Sequence, residues 1–393
     1  MKKKTDTEGK IVTFYSYKGG VGRSMAVANV AHILASWEYK VLIIDWDLEA
    51  PGLETFFQNY ISLDKVEANL GLIDILISGM NYDSAVNVHW KNCLTQIKYI
   101  YNINQPQRIE IDLITSGNRE DGYYDKIRKF DFSDFYEKHD GGNFIEGLRN
   151  EWKKEYDFIF IDSRTGVTDI GGVCTIQLPD VLVLLFTPTN QSFNGILKVA
   201  KKAFIAQKQL PYDRINLLML PVVTRVDNSE FKLTQKWFDR FEKGLEETYS
   251  YWMTEKVDKK DFLINTKIPY ISYFSFDETL PVVIEGVKNP SSMGYAYESI
   301  ASLIATKLDY PENLLTNRAG LITIAKTASI ENPPAKTIKD QFSFLQIISE
   351  KLFKRFKGAL NKSFSTVKVT FIVAVTTLII SYIVDNNNKS EEL

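Results

Sequence analysis

The residues best able to do chemistry in this chain are one glycine-rich run and three acids downstream of it. Lys18-Gly19-Gly20-Val21-Gly22-Arg23-Ser24 packs three glycines, two cations and a hydroxyl into consecutive positions. Glycines let a backbone turn tightly and aim its N–H groups inward, the arrangement that holds a phosphate chain. Ser24 is placed to offer its hydroxyl to Mg²⁺. Asp45, Asp47 and Asp162 each lie at or just past the end of an apolar run, where carboxylates can meet phosphate and metal.

These residues need elements to position them. Ile11-Val12-Thr13-Phe14 reads as a buried strand ahead of the glycines. Met25 to Trp37 carries Val27, Val30, Ala31 and Leu34 at helical spacing behind them. The N-terminus of such a helix adds partial positive charge where the N–H groups converge. Lys40 to Asp47 reads as a second buried strand with two acids at its C-terminal end, where open α/β sheets collect ligands. Alternate strand residues point the same way, so Asp45 and Asp47 can face one site. Strand-end aspartates also commonly cap the next turn. Tyr156 to Asp162 supplies a third strand ending in an acid.

The general phosphate-loop pattern G-x-x-x-x-G-K-[ST] fails twice here, at Tyr17 and at Arg23. The form that does fit has its lysine at the front. In Lys18 to Ser24 the chain resembles the deviant P-loop ATPases of the MinD/ParA class, and within them the variant whose second lysine is arginine. The resemblance spans roughly residues 10–310 and implies a mostly parallel, doubly wound sheet with helices on both faces. It also implies ATP and Mg²⁺ bound along Lys18, Gly19, Gly20, Val21, Gly22, Arg23, Ser24 and Met25. Ser24, Asp45 and Asp162 would hold the metal shell, and Asp47 would position the attacking water. Lys18 would reach across a homodimer formed on ATP binding. Arg23 and Arg164 would share the charge of the missing lysine, although Arg164 could equally salt-bridge a neighbour. Thr224, Arg225 and Pro269 fall where the family skirts the base.

Elsewhere the pattern is coarser. Leu70 to Met80 and Phe144 to Trp152 read as helices, and 108–115 alternates like a half-exposed strand. Gly117 to Gly142 is rich in charge and aromatics. It reads as an excursion packed back on the domain, or as a partner surface. Further strands are expected over 180–188 and 214–227, and helices over 192–207, 231–252 and 294–308. That makes six strands separated by helices, which calls for an α/β doubly wound fold.

Composition bounds the rest. With 393 residues, 45% hydrophobic, the chain can bury one large core or two modest ones. A net charge of −2 gives no general reason to expect nucleic acid as a partner. Two distant cysteines exclude a disulfide framework, and three scattered histidines suggest no metal cluster. A polar start predicts no signal peptide. The expected organisation is a basic tail over 1–9, the ATPase domain over 10–310 and a linker over 311–340. A basic amphipathic helix over 341–366, a transmembrane helix over 367–384 and a polar tail over 385–393 follow. The uncharged run Val369 to Val384, flanked by basic residues on its N-terminal side, underlies the expectation of a single-pass inner-membrane protein with its ATPase domain in the cytoplasm.

Together these readings imply a membrane-tethered ATP-dependent dimerisation switch with a protein partner on its cytoplasmic surface. The resemblance to the arginine-type members of that class implies a place in bacterial signalling or defence. Two alternatives remain open: a nucleotide-binding module with little or no hydrolysis, and a DNA-partitioning ATPase.

Overall fold

Runs of β-branched and aromatic residues with no interior charge form the centre of a parallel sheet. The computed structural model describes residues 8–80, 88–101, 106–119, 122–165, 172–210, 212, 216–227, 229–250 and 252–330. The strands are β1 (Lys10–Ser16), β2 (Val41–Asp45), β3 (Leu94–Tyr101), β4 (Gln107–Ile114), β5 (Phe158–Asp162), β6 (Val181–Phe186) and β7 (Leu218–Val223). Their order is β3-β4-β2-β5-β1-β6-β7. Every pairing from β4 through β7 is parallel. Strands buried on both faces need continuous apolar sequence, and β2, β5 and β6 have it.

The chain divides into two units, residues 1–98 with 109–332, and residues 99–108 with 333–393. Of the second, residues 99–101 and 106–108 are described, as strand ends. The first holds the glycine loop and all three acids.

One face of the sheet buries Ile11, Ile159 and Ile161 with Leu72, Ile145 and Trp152. Helices Leu72–Met80 and Gly141–Glu155 supply the last three. Tyr15, Leu182 and Leu184 pack with Val199, Ala200 and Ala203 of helix Asn190–Gln207 on the same side. Residues of opposite parity line the other face. There Phe14 meets Phe160 edge to face at 5.6 Å. Helix α1 (Arg23–Ser36) follows the glycine loop, and Asn29 within it accepts a hydrogen bond from the Val282 backbone at 3.0 Å.

The aromatic excursion packs inward. Tyr123, Phe130, Phe132 and Phe135 join the core beside helix 141–155, while Tyr124 stays exposed. The expectation of six strands omitted β3. It carries the polar residues Thr95, Gln96 and Lys98 among its apolar ones, as suits an edge strand. Residues 311–330, expected as linker, instead form helices Pro311–Thr316 and Arg318–Ile330. Arg318 donates to Glu298 at 2.9 Å, and the Tyr39 hydroxyl donates to the Ala325 carbonyl at 2.6 Å. Those bonds fasten the segment to the domain.

The expected transmembrane helix and single-pass inner-membrane location are corrected. Among the described residues no helix is long and apolar enough to cross a membrane. The two longest show why. Helix Phe231–Tyr249 carries Lys232, Lys236, Asp239, Arg240, Glu242 and Lys243, and helix 190–207 carries Lys198, Lys201 and Lys202. Residues 331–393, which include the expected spans 341–366 and 367–384, lie outside the described residues.

Candidate functional site

The strand register brings the separated motifs together. Asp45 and Asp162 are partners on adjacent parallel strands, and Phe14 pairs with Asp162 on the other side. The Trp46 N–H donates to the Asp162 carbonyl at 2.9 Å, and the Ser163 hydroxyl donates to the Phe14 carbonyl at 2.8 Å. Three strand ends are thereby locked at one level, with the glycine loop rising from β1.

Gly20 and Gly22 have φ of +71° and +88°, values that residues bearing a Cβ rarely adopt. A Cβ added at Gly19, Gly20 or Gly22 would meet nothing within 4 Å. Backbone conformation therefore demands glycine at positions 20 and 22, and the loop opens onto free space. Gly22 caps α1, whose first turn holds no acid to repel an anion. Lys18 is exposed at the mouth, and its carbonyl accepts from the Ser16 hydroxyl at 2.9 Å. Val21 is buried and Met25 half-buried, with the Met25 carbonyl accepting from Asn29.

Arg23, the first residue of α1, is 8% exposed and turned down onto the acids. Its Nε donates to Asp162, and its Nη2 donates to Asp47 at 2.8 Å. Nη1 is buried and makes no hydrogen bond among the described residues. Burial alone would lower the Arg23 pKa, but Asp162 and Asp47 outweigh it and hold the guanidinium charged. Asp162 is pushed above the usual carboxylate range by burial, against the pull of Arg23 and a hydrogen bond from the Ser24 hydroxyl. Asp47 is half-buried and turned towards Arg23.

Asp45 does something different. Its Oδ1 accepts from the Asp47 N–H at 3.0 Å, and its Oδ2 accepts from Gly52 and Leu53 at 2.9 and 3.1 Å. It is fully buried and organises the loop after β2. Burial and the neighbouring Asp162 push it up to about 7, against those three backbone donors. Arg164 pairs with Glu49 of that same loop at 2.5 Å. Among the described residues no three His, Cys, Asp or Glu side chains converge to hold a metal. Mg²⁺ keeps most of its water and phosphate ligands, so one or two protein groups suffice. The Ser24–Asp162 pair beside an open glycine loop fits that need.

The loop after β7 closes one flank. The Thr224 N–H donates to the Phe186 carbonyl at 2.8 Å, and its side chain is buried. Arg225 Nη1 donates to the Gly20 carbonyl at 2.6 Å, and its guanidinium lies 5.0 Å from the Tyr270 ring centroid. Pro269 bridges Val226 in parallel, which draws both expected base-side segments together.

Sequence reasoning missed Gly195. A Cβ there would meet the Tyr17 ring at 2.1 Å, so helix 190–207 backs the residue ahead of Lys18 only through a glycine. The signal was available. Glycine inside a helix costs about 1 kcal/mol against alanine, which makes its presence ask for a close contact.

The family model for the AAA domain matches residues 9–212. A protein of Tupiella akineta assigned as a septum site-determining MinD is 30% identical over 120 residues, a match covering 25% of this chain and 38% of that one. The chain thus spans well under half the length of that curated relative. The solved structure of pNOB8 ParA bound to nonspecific DNA is similar at a TM-score of 0.51 and 18% identity, covering 77% of this chain and 99% of that one. MinD of Pyrococcus horikoshii OT3, complexed with Mg-ADP, gives a TM-score of 0.47 at 18% identity, covering 77% and 98%. At that identity the likeness to the ParA structure is one of fold.

Proposed function

The chain belongs to the AAA-domain family of P-loop ATPases of the MinD/ParA type, and from that premise we propose that it is an ATP-dependent dimerisation switch. The observation that carries this reading is the junction of glycine loop, Asp47 and Asp162 through Arg23. Phosphoryl transfer is achieved almost entirely by positioning and charge neutralisation, and these residues are arranged for both. The backbone from Gly19 to Ser24 would bind the phosphates. Ser24 and Asp162 would hold Mg²⁺, which supplies charge neutralisation on the phosphate oxygens. Asp47 would orient the attacking water, and Asp45 holds the loop that carries Asp47. The exposed position of Lys18 supports a role across a dimer. We place the switch in bacterial signalling or defence on the arginine-type motif.

Phosphate release and ATP-dependent dimerisation by the full chain test this reading together. Wild-type turnover that falls to background in Asp47→Ala, with dimerisation lost in Lys18→Ala, supports it. Equal phosphate release by wild type and Asp47→Ala would favour the binding-only module, for which arginine in place of the lysine is the motive.

A second reading, a partitioning ATPase that holds DNA, is favoured by one observation. Helix 190–207 carries Lys198, Lys201 and Lys202, all at least partly exposed, and contains no acid. This qualifies the expectation from net charge, which averages over the whole surface. Salt-dependent retention of duplex DNA by wild type, lost when the three lysines become glutamate, supports this reading. No retention at low salt excludes it.

A further inference from the structure

We propose that Arg225 is a positioning residue that sets the orientation of the glycine loop and couples its grip on a polyphosphate to the segment bearing Tyr270. The proposal rests on the reading of that loop as a nucleotide site.

Arg225 has φ of +54°, a left-handed conformation that residues with a Cβ hold only when their surroundings impose it. Both neighbours impose it here. The Thr224 N–H is bonded to the Phe186 carbonyl, and the Val226 N–H donates to the Ile268 carbonyl at 3.2 Å. The Tyr270 N–H returns to the Val226 carbonyl at 2.9 Å. This clamp directs an exposed arginine towards the loop, where Nη1 reaches the Gly20 carbonyl at 2.6 Å. The Tyr270 ring, itself 41% exposed, faces the guanidinium at 5.0 Å and fixes its plane.

The consequence lies in the Gly20–Val21 peptide. A trans peptide is planar, so the Gly20 C=O and the Val21 N–H point in opposite directions. Gly20 has no Cβ to restrict rotation of that plane, and nothing lies within 4 Å of where a Cβ would stand. Holding the carbonyl on Arg225 therefore turns the Val21 N–H to the other side, into the cradle. Arg23 Nε and Nη2 are taken by Asp162 and Asp47, so the loop's backbone donors carry a substantial share of the grip on an incoming anion. Arg225 accordingly serves the phosphates through the loop and not the base by contact.

Calorimetric titration of the full chain with MgATP and, separately, with inorganic tripolyphosphate tests this. Arg225→Ala should weaken both ligands alike, by roughly tenfold, the scale of one charge-assisted hydrogen bond. Arg225→Lys should recover part of the loss, because an ammonium reaches the carbonyl but has no plane to stack. Tyr270→Ala should weaken both ligands by less, and it decides the matter alone if Arg225→Ala does not fold. Loss of MgATP binding with tripolyphosphate unchanged would assign Arg225 to the base and overturn the proposal, as would no change in either. Wild type that binds neither ligand would overturn the nucleotide-site reading itself.

Discussion

Arg23 Nε donates to Asp162, so the cation standing where a phosphate loop ordinarily has lysine is bound to the acid expected to serve the metal. The same guanidinium takes Asp47 through Nη2. A planar fork can hold two carboxylates at fixed angles, whereas an ammonium is a point charge without that geometry. The arginine thus makes the two acids and the helix N-terminus one unit.

Removing Arg23 should therefore destabilise the fold before it affects chemistry. Breaking a buried ion pair costs about 3–5 kcal/mol because the remaining charge is stranded. Asp162 is already raised by burial and would rise further without its partner. A carboxylate whose folded pKa exceeds its unfolded value binds more protons folded than unfolded. Stability then falls as pH rises between the two values. Urea midpoints of Arg23→Ala should lie well below wild type at pH 8, with the gap narrowing at pH 5. A gap independent of pH would contradict the stranded-carboxylate explanation.

Gly195 and Tyr17 form a second dependent pair. Gly195→Ala places a Cβ against the Tyr17 ring, and overpacking of this kind costs about 1–3 kcal/mol. Tyr17 precedes Lys18 directly, so the shift should also weaken nucleotide binding. Adding Tyr17→Ala should restore part of the lost melting temperature. A double variant no more stable than Gly195→Ala alone would show that the clash is relieved elsewhere.

His32 should contribute to the acid limb of stability. Burial within α1 pulls its pKa down to about 3. The unfolded chain binds that proton below about 6.5 and the folded chain does not, so stability is lost as pH falls through this window. At pH 5 the loss is about 2 kcal/mol. His32→Leu should flatten the change in unfolding free energy between pH 7 and pH 5. An unchanged slope would move the acid sensitivity to other groups.

The strands that carry the site were legible because β2, β5 and β6 are apolar runs ended by acids or followed by proline, and β1 is an apolar run broken by Thr13 just ahead of the glycines, signals that act locally. Asp45, Asp47 and Asp162 were legible as acids at strand ends, since spacing along the chain reports parity and position. Partners across the fold were not. Nothing local to Asp45 says that Gly52 and Leu53 will fill its oxygens, and nothing local to Arg225 says that it will reach Gly20. β3 was hidden because an edge strand needs little apolar sequence. Helices 311–316 and 318–330 were hidden because Pro333-Pro334 just beyond them gives the whole stretch the look of a linker until Arg318 finds Glu298.

Arg164 offered two roles in the sequence, and its pairing with Glu49 makes opposite predictions for them. Arg164 is partly exposed and Glu49 more so, and an ion pair of that kind contributes less than about 1 kcal/mol. Neither Arg164→Ala nor Glu49→Ala should change the unfolding free energy by more than that. If the pair tethers the loop after β2, the two variants should slow phosphate release equally, by roughly two- to fivefold, the rate equivalent of so small an energy. Reversing the charges in Arg164→Glu/Glu49→Arg should then recover the rate. Abolished turnover in Arg164→Ala beside normal turnover in Glu49→Ala would instead put the guanidinium on the phosphates, with Glu49 as no more than its resting partner.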